Sequence, residues 1–289
     1  MTTVYPCAKI NLGLNIVSKR QDGYHNLETV FYPIPLCDKI EIEQADYTTP
    51  GQPCTLSMDG IKIEGDAADN LVVKAYMLLK QMFPANLPDV NIRLTKNIPS
   101  QAGMGGGSSD CAYTITALNQ MFNLGLQEHE MQRLAITLGA DCAFFVNPTP
   151  SYATGIGEIL TQINLDLSQY IFALVKPQVK ISTKEAFTNI TPEAPTICCK
   201  DIVCQPIETW KDLLVNDFEK SIIPNHPEIA SIKEKLYELG AVYSAMSGSG
   251  STLFGIFKQA PTNLELIFKD CFTAVITCLL YTSPSPLDR

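Results

Sequence analysis

Gly103-Met104-Gly105-Gly106-Gly107-Ser108-Ser109 places four glycines in five positions and ends in two hydroxyls. Backbone without Cβ atoms approaches an anion closely and can turn successive N–H groups toward it. An apolar helix expected over about Asp110–Phe122 starts where the run ends. Its unpaired N–H donors and positive N-terminal end would add to the cradle. Ser108 and Ser109 are suited to cap that helix, or to bond a phosphate or its metal. Two familiar phosphate motifs are excluded by spelling. A P-loop carries Lys and then Ser or Thr after its last glycine, and Ser108-Ser109-Asp110 stands there instead. The dinucleotide fingerprint needs a third glycine where Ser108 is found, and the strand-rich start lacks its βαβ unit.

Four further segments could share a site with that loop. In Pro6-Cys7-Ala8-Lys9-Ile10-Asn11-Leu12-Gly13-Leu14, read as a strand, Lys9 and Asn11 share one face and Ile10, Leu12 and Leu14 the other. Asp22-Gly23-Tyr24-His25 is a turn that carries a phenol and an imidazole side by side. Leu138-Gly139-Ala140-Asp141-Cys142-Ala143-Phe144-Phe145 brings a carboxylate in between a helix end and an apolar strand. Asp141 reads as a general base or, slightly favoured on these residues alone, as a helix-end hydrogen-bonding residue. Met246-Ser247-Gly248-Ser249-Gly250-Ser251 is a small-residue turn between strands, either an ordinary hairpin or a wall against a ligand.

These segments must be held by a folded chain, and the composition supplies one. The 289 residues are 46% hydrophobic and 18% charged, enough for a full core and, at ~150 residues per domain, about two domains. Thirty acidic against 21 basic residues give a net charge of −9, which weighs against nucleic acid as a partner. No apolar run approaches the ~18 residues of a membrane span, and the first residues lack a basic-then-apolar leader. No membrane partner and a cytoplasmic location are therefore expected. Ten cysteines without a C-x-x-C pair, and three separated histidines, fit reduced thiols and no structural zinc site.

Strand signals dominate the first ~65 residues, with alternation in Lys39-Ile40-Glu41-Ile42-Glu43 and a hairpin turn at Asp59-Gly60 between Cys54–Met58 and Ile61–Glu64. Helices are expected over about Asn70–Phe83, Asp110–Phe122, Gln127–Leu138, Trp210–Ile222 and Pro227–Leu239. Ser182-Thr183-Lys184-Glu185 has the capping-box spelling and starts another. Thr188–Gln205 reads as an irregular surface excursion. Strands are expected at Val90–Leu94, Ile171–Val175, Val242–Met246, Thr252–Phe257 and Phe272–Thr277. The order argues for an α+β class over a doubly wound parallel sheet. A composition change at Asn147-Pro148-Thr149-Pro150 divides the chain into 1–150 and 151–289, and 278–289 is an atypical tail.

In order and spacing the five segments resemble the small-molecule kinases of the galactokinase, homoserine kinase, mevalonate kinase and phosphomevalonate kinase superfamily, over about residues 4–275. The resemblance is strongest to the branch that phosphorylates cytidine diphosphate methylerythritol in the non-mevalonate isoprenoid pathway. It departs at Met104 and Cys111, where leucine and alanine are usual. It implies a two-domain α+β fold, a ribosomal-protein-S5-like unit followed by a ferredoxin-like one. It also implies ATP as cofactor, held by Pro99, Ser100, Gln101, Ala102, Gly103, Met104, Gly105, Gly106, Gly107, Ser108 and Ser109. Mg2+ would be bound mainly through ATP, with Ser109 as a possible ligand. Asp141 would be the base and Lys9 its cationic partner. Asn11, Tyr24, His25, Phe31, Thr183, Phe187, Gly248, Ser249 and Gly250 would hold the substrate, and Lys96 and Lys184 would help Lys9, the helix terminus and the metal to supply positive potential for the two polyanionic ligands. The partner is then a small-molecule substrate and the protein a monomer or weak homodimer. A mevalonate-pathway relative and a catalytically silent nucleotide binder are the rival readings.

Overall fold

Alternating apolar residues in Lys39–Glu43 demand a strand with one buried face, and Ile40 and Ile42 are fully buried there. The computed structural model describes residues 1–46, 52–63, 65–188 and 190–277; the tail at 278–289 lies outside the described residues. In chain order the strands are β1 (Thr2–Val4), β2 (Cys7–Lys19), β3 (His25–Cys37), β4 (Lys39–Gln44), β5 (Cys54–Gly60), β6 (Val90–Lys96), β7 (Ser151–Thr154), β8 (Ile159–Gln162), β9 (Ile171–Lys176), β10 (Tyr243–Met246), β11 (Leu253–Phe257) and β12 (Phe272–Thr277). The helices used below are α1 (Leu71–Met82), α2 (Gly106–Met121), α3 (Glu128–Leu138), α4 (Thr183–Thr188), α5 (Cys199–Ile202), α6 (Trp210–Leu213), α7 (Asp217–Ile222) and α8 (Pro227–Glu238). The α+β class is the one observed, built on three four-stranded sheets ordered β1-β4-β6-β5, β2-β3-β7-β8 and β10-β11-β9-β12.

The first sheet presents Ile40, Ile42, Val90, Ile92 and Leu94 to α1, α2 and α3, whose Val72, Tyr76, Leu79, Ile115 and Leu118 close that core. The second and third sheets share another core. Ala8, Ile10 and Leu12 on one face of β2 pack with Phe172 and Leu174 of β9 and with Trp210 and Tyr243. This leaves the opposite face of β2, with Lys9 and Asn11, pointing away from that core, as the strand reading requires. The expected division at residue 150 falls just ahead of β7. The β7–β8 hairpin completes the sheet of β2 and β3, so that sheet extends to Gln162.

Four local expectations differ from the structure. Asp59-Gly60 is not a hairpin turn: β5 runs parallel to β6, from Cys54 opposite Val90 to Gly60 opposite Lys96, with α1 as the crossover. The glycine ends that strand because a Cβ there would lie 2.2 Å from the Lys96 carbonyl oxygen. Residues 61–63 form no strand, and Glu64 lies outside the described residues. The helix expected over Trp210–Ile222 is two short ones, α6 and α7, because Asn216 leaves the helical path and bridges to Leu14 of β2. The stretch Thr188–Gln205 is not all surface: α5 drives Cys199, Ile202 and Val203 into the core shared by the second and third sheets. Asp141 stands on a 3-10 helix over Ala140–Val146, not ahead of a strand.

Candidate active site

Two clefts adjoin between the sheets. One, of about 510 Å³, is lined by Lys9, Asn11, Asp141, the Tyr24-His25 turn, Thr183, Phe187, Gly248 and Ser249. The other, of about 500 Å³, is lined by Pro99 through Ser108 and by Lys96 and Asp110. Gly103, Gly105 and Thr183 line both.

The glycine-rich loop leads straight into α2, which begins inside the run at Gly106 and not at Asp110. Gly105 takes the N-cap position at φ 70° and provides no side-chain cap. The first-turn N–H groups therefore have no side-chain acceptor at the cap, the arrangement that receives an anion. Gly103 sits at φ +71° against the second glycine–serine loop, and a Cβ there would lie 1.9 Å from the Ser247 carbonyl oxygen. No other residue type fits that approach without moving one loop. Met104 is buried, and its carbonyl accepts from the Lys9 N–H at 3.0 Å, which ties the loop to β2.

Lys9 is 3% exposed. Its Nζ donates to Asn11 Oδ1 at 2.6 Å, stands 3.4 Å from Asp141 Oδ2 and lies 4.9 Å from the centre of the Phe31 ring. A buried ammonium therefore faces a half-exposed carboxylate, with an amide and an aromatic face fixing its position. Asn11 is held in turn by Thr29, to whose Oγ1 its Nδ2 donates at 3.0 Å. On the far wall His25 stacks on Phe187 at 4.8 Å and 18°, so one face of Phe187 is already covered. Tyr24 is exposed at the rim. The capping box at Ser182 forms by half. Ser182 Oγ accepts from the Glu185 N–H at 3.1 Å, while the Glu185 carboxylate turns to His226 at 2.7 Å.

Three of the expected residues take other positions. Ser109 is fully buried, its hydroxyl is without a partner and it lines neither cleft; Ser108 lines the second. Gly250 packs on Met246 and Ile181 instead of facing a cleft. Lys96 is no free helper, because its ammonium is held by Asp38 and, at 2.6 Å, by Asp110 Oδ2. Burial pushes the Asp110 carboxyl up to about 7; Lys96 opposes that shift and Asp38 adds to it. In the second cleft the start of α2 therefore adds positive potential that the paired Lys96 does not.

Sequence reasoning does not single out Asp38, Ser247 or Asn216. Asp38 Oδ1 accepts from the N–H groups of Asn97 and Ile98 at 2.6 and 2.8 Å, and so pins the chain where the glycine-rich loop departs from β6. Ser247 Oγ donates to the Gly103 carbonyl at 2.8 Å. Asp38 had a signal, a lone carboxylate between two strand-like runs. Asn216, inside a continuous helical pattern, had none.

Sheets, loop and paired clefts define a small-molecule kinase, and the chain is a member of the GHMP kinase family. Residues 70–148 match the GHMP kinases N terminal domain and residues 202–272 the GHMP kinases C terminal domain. A 4-diphosphocytidyl-2-C-methyl-D-erythritol kinase of Bacteroides fragilis is 49% identical over 268 residues, covering 93% of this chain and 96% of the relative. One of Parabacteroides distasonis is 46% identical, with 93% and 96% covered. A crystal structure of 4-(cytidine 5'-diphospho)-2C-methyl-D-erythritol kinase superposes with a TM-score of 0.79 at 26% identity, covering 96% of this chain and 99% of that one. The mevalonate kinase of Methanococcus jannaschii shares the fold, with a TM-score of 0.69 at 13% identity and 96% and 98% covered. Within the family, the chain belongs to the 4-diphosphocytidyl-2-C-methyl-D-erythritol kinases.

Proposed function

We propose that the protein transfers the γ-phosphoryl group of ATP to the 2-hydroxyl of 4-diphosphocytidyl-2-C-methyl-D-erythritol, as a cytoplasmic enzyme of isoprenoid biosynthesis. The observation that carries this is the Lys9–Asp141 pair in the substrate-side cleft, which shares the walls Gly103 and Gly105 with the glycine-loop cleft. Asp141 takes the proton of the 2-hydroxyl as its oxygen attacks phosphorus, and ADP leaves with the pair of electrons of the broken bond. Lys9, 3.4 Å from Asp141 Oδ2, opposes the negative charge that develops at the transferred group. The glycine-rich loop and the first turn of α2 hold the triphosphate, so positioning and neutralisation do most of the work.

On the substrate side the His25–Phe187 stack forms an aromatic shelf for the cytosine. The imidazole rim provides hydrogen bonds, and Asn11, Tyr24, Phe31, Thr183, Gly248 and Ser249 surround the rest of the molecule. The nucleotide side lies in residues 1–150 together with the β7–β8 hairpin, and residues 163–277 close the cleft. Magnesium fits as a passenger of the triphosphate. Among the described residues no group of three or more His, Cys, Asp or Glu is placed to hold a metal, and the Ser109 hydroxyl is buried outside both clefts, so the ion would be held through the triphosphate itself. When bound, the ion neutralises phosphate charge.

The test is ATP-to-ADP turnover with the cytidylyl substrate, mevalonate and homoserine offered separately, alongside Asp141→Asn and Lys9→Ala. Turnover with the cytidylyl substrate alone, lost in Asp141→Asn, is the expected result. Turnover with mevalonate would remove the role given to His25.

A further inference from the structure

Asn216 lines neither cleft, is 2% exposed and makes three side-chain hydrogen bonds. Its two amide atoms do different jobs. Oδ1 accepts from the Phe218 N–H at 3.0 Å and caps α7. Nδ2 donates to the Met246 carbonyl at 2.7 Å and to the Gly248 carbonyl at 2.8 Å, clasping the second glycine–serine loop from behind. The residue between those carbonyls is Ser247, whose Oγ donates to Gly103 and accepts from the Asn11 N–H at 3.3 Å. Asn11 Oδ1 in turn receives the Lys9 ammonium. The clasp is itself anchored on β2, where Leu14 N–H donates to the Val215 carbonyl at 2.8 Å.

We infer that Asn216 is a positioning residue for phosphoryl transfer: by fixing Met246 and Gly248 it sets Ser247, and through Ser247 the register between the glycine-rich loop and the Lys9–Asn11 face of β2. This deepens the proposed function and rests on it. A single buried amide thus holds a loop of the C-terminal half at the distance the N-terminal half needs. Reacting groups displaced by about 1 Å lose of the order of 100-fold in rate, so release of the clasp is read in kcat.

The two jobs can be separated. Asn216→Asp keeps a first-rate N-cap acceptor and loses both donors to the loop. Asn216→Ser also keeps a cap, carries no charge and is too short to reach both carbonyls. Melting temperature, kcat and the KM values for ATP and the cytidylyl substrate are measured on both variants, with Asp141→Asn and Lys9→Ala as references. The expected result is a variant melting within a few degrees of the parent whose kcat falls at least tenfold, and by more than either KM changes. A smaller loss of kcat overturns the inference. So does a kcat that falls only together with the melting temperature in both variants, because Asn216 is then a folding residue alone. If Asp141→Asn and Lys9→Ala keep full turnover, the proposed function itself fails and takes the inference with it.

Discussion

Replacing Gly103 by alanine tests whether contact between the two loops governs catalysis. At φ +71° an alanine there takes up a left-handed conformation that costs ~1–2 kcal/mol. Its methyl group would also start 1.9 Å from the Ser247 carbonyl oxygen, so the loops must part by about 1.5 Å to restore an ordinary contact of 3.4 Å. Overpacking of this kind costs ~1–3 kcal/mol, which brings the destabilisation to about 2–5 kcal/mol. At roughly 2 cal/mol/K per residue of unfolding entropy this lowers the melting temperature by about 3–8 °C. Parting the loops shifts the glycine-rich loop against Lys9 and Asp141, and kcat should fall ~100-fold. Gly107→Ala is the matched control. Its Cβ meets nothing closer than Leu71 Cδ1 at 3.8 Å, and it lies in the first turn of α2, where alanine is favoured by up to about 1 kcal/mol. That variant should melt no lower than the parent and show its effect in the KM for ATP. Calorimetric melting and a coupled ADP assay at 25 °C on both variants decide the matter. A Gly103→Ala enzyme with parental kcat would refute the reasoning, since it would mean that the second loop moves freely without consequence for the chemistry.

Asp110 holds its proton up to about pH 7 in the folded protein, well above the ordinary carboxylate value, so folding takes up a proton between those two values. Stability of the nucleotide-free protein should fall as pH rises across that window and level off above it; Asp110→Asn should remove the fall, so that the variant gains on the parent from pH 5 to pH 8. Equal melting curves at both pH values would count against it. His25→Ala should raise the KM for the cytidylyl substrate about 2- to 13-fold by losing a stack worth ~0.5–1.5 kcal/mol, with the KM for ATP unchanged. An unaltered substrate KM would place the base elsewhere. Asp38→Ala leaves the Lys96 ammonium and two loop N–H groups short of a partner and should cost ~3–5 kcal/mol, read as a denaturation midpoint well below that of the parent.

The chemistry-bearing segments were legible because each combines rare residue types at local spacing. Lys9 and Asn11 share a face by the two-residue period of a strand, and the glycine run announces its own backbone freedom. What sequence concealed are facts of long-range pairing. Asp59-Gly60 carries the spelling of a hairpin turn, yet the partner of β5 is β6, some thirty residues later and parallel; nothing local distinguishes a turn from a strand that stops. Trp210–Ile222 has helical periodicity throughout, and its interruption follows from a bridge to Leu14 at the other end of the chain. Lys96 invited a reading as a source of positive potential because the two carboxylates that hold it come from positions 38 and 110. Ser109 and Ser108 could not be told apart by type, only by which side of α2 each faces.

The two clefts have Gly103, Gly105 and Thr183 in common, so along the glycine part of that wall only backbone stands between them. On the proposed assignment of the two clefts, a single tethered inhibitor would reach both. A cytidine-bearing fragment joined to a triphosphate mimic by a short linker would gain the effective concentration of an intramolecular encounter, in the millimolar range for short flexible tethers. Selectivity would come from the cytidine end, since kinases with the same glycine loop and a different substrate shelf could grip only half of it.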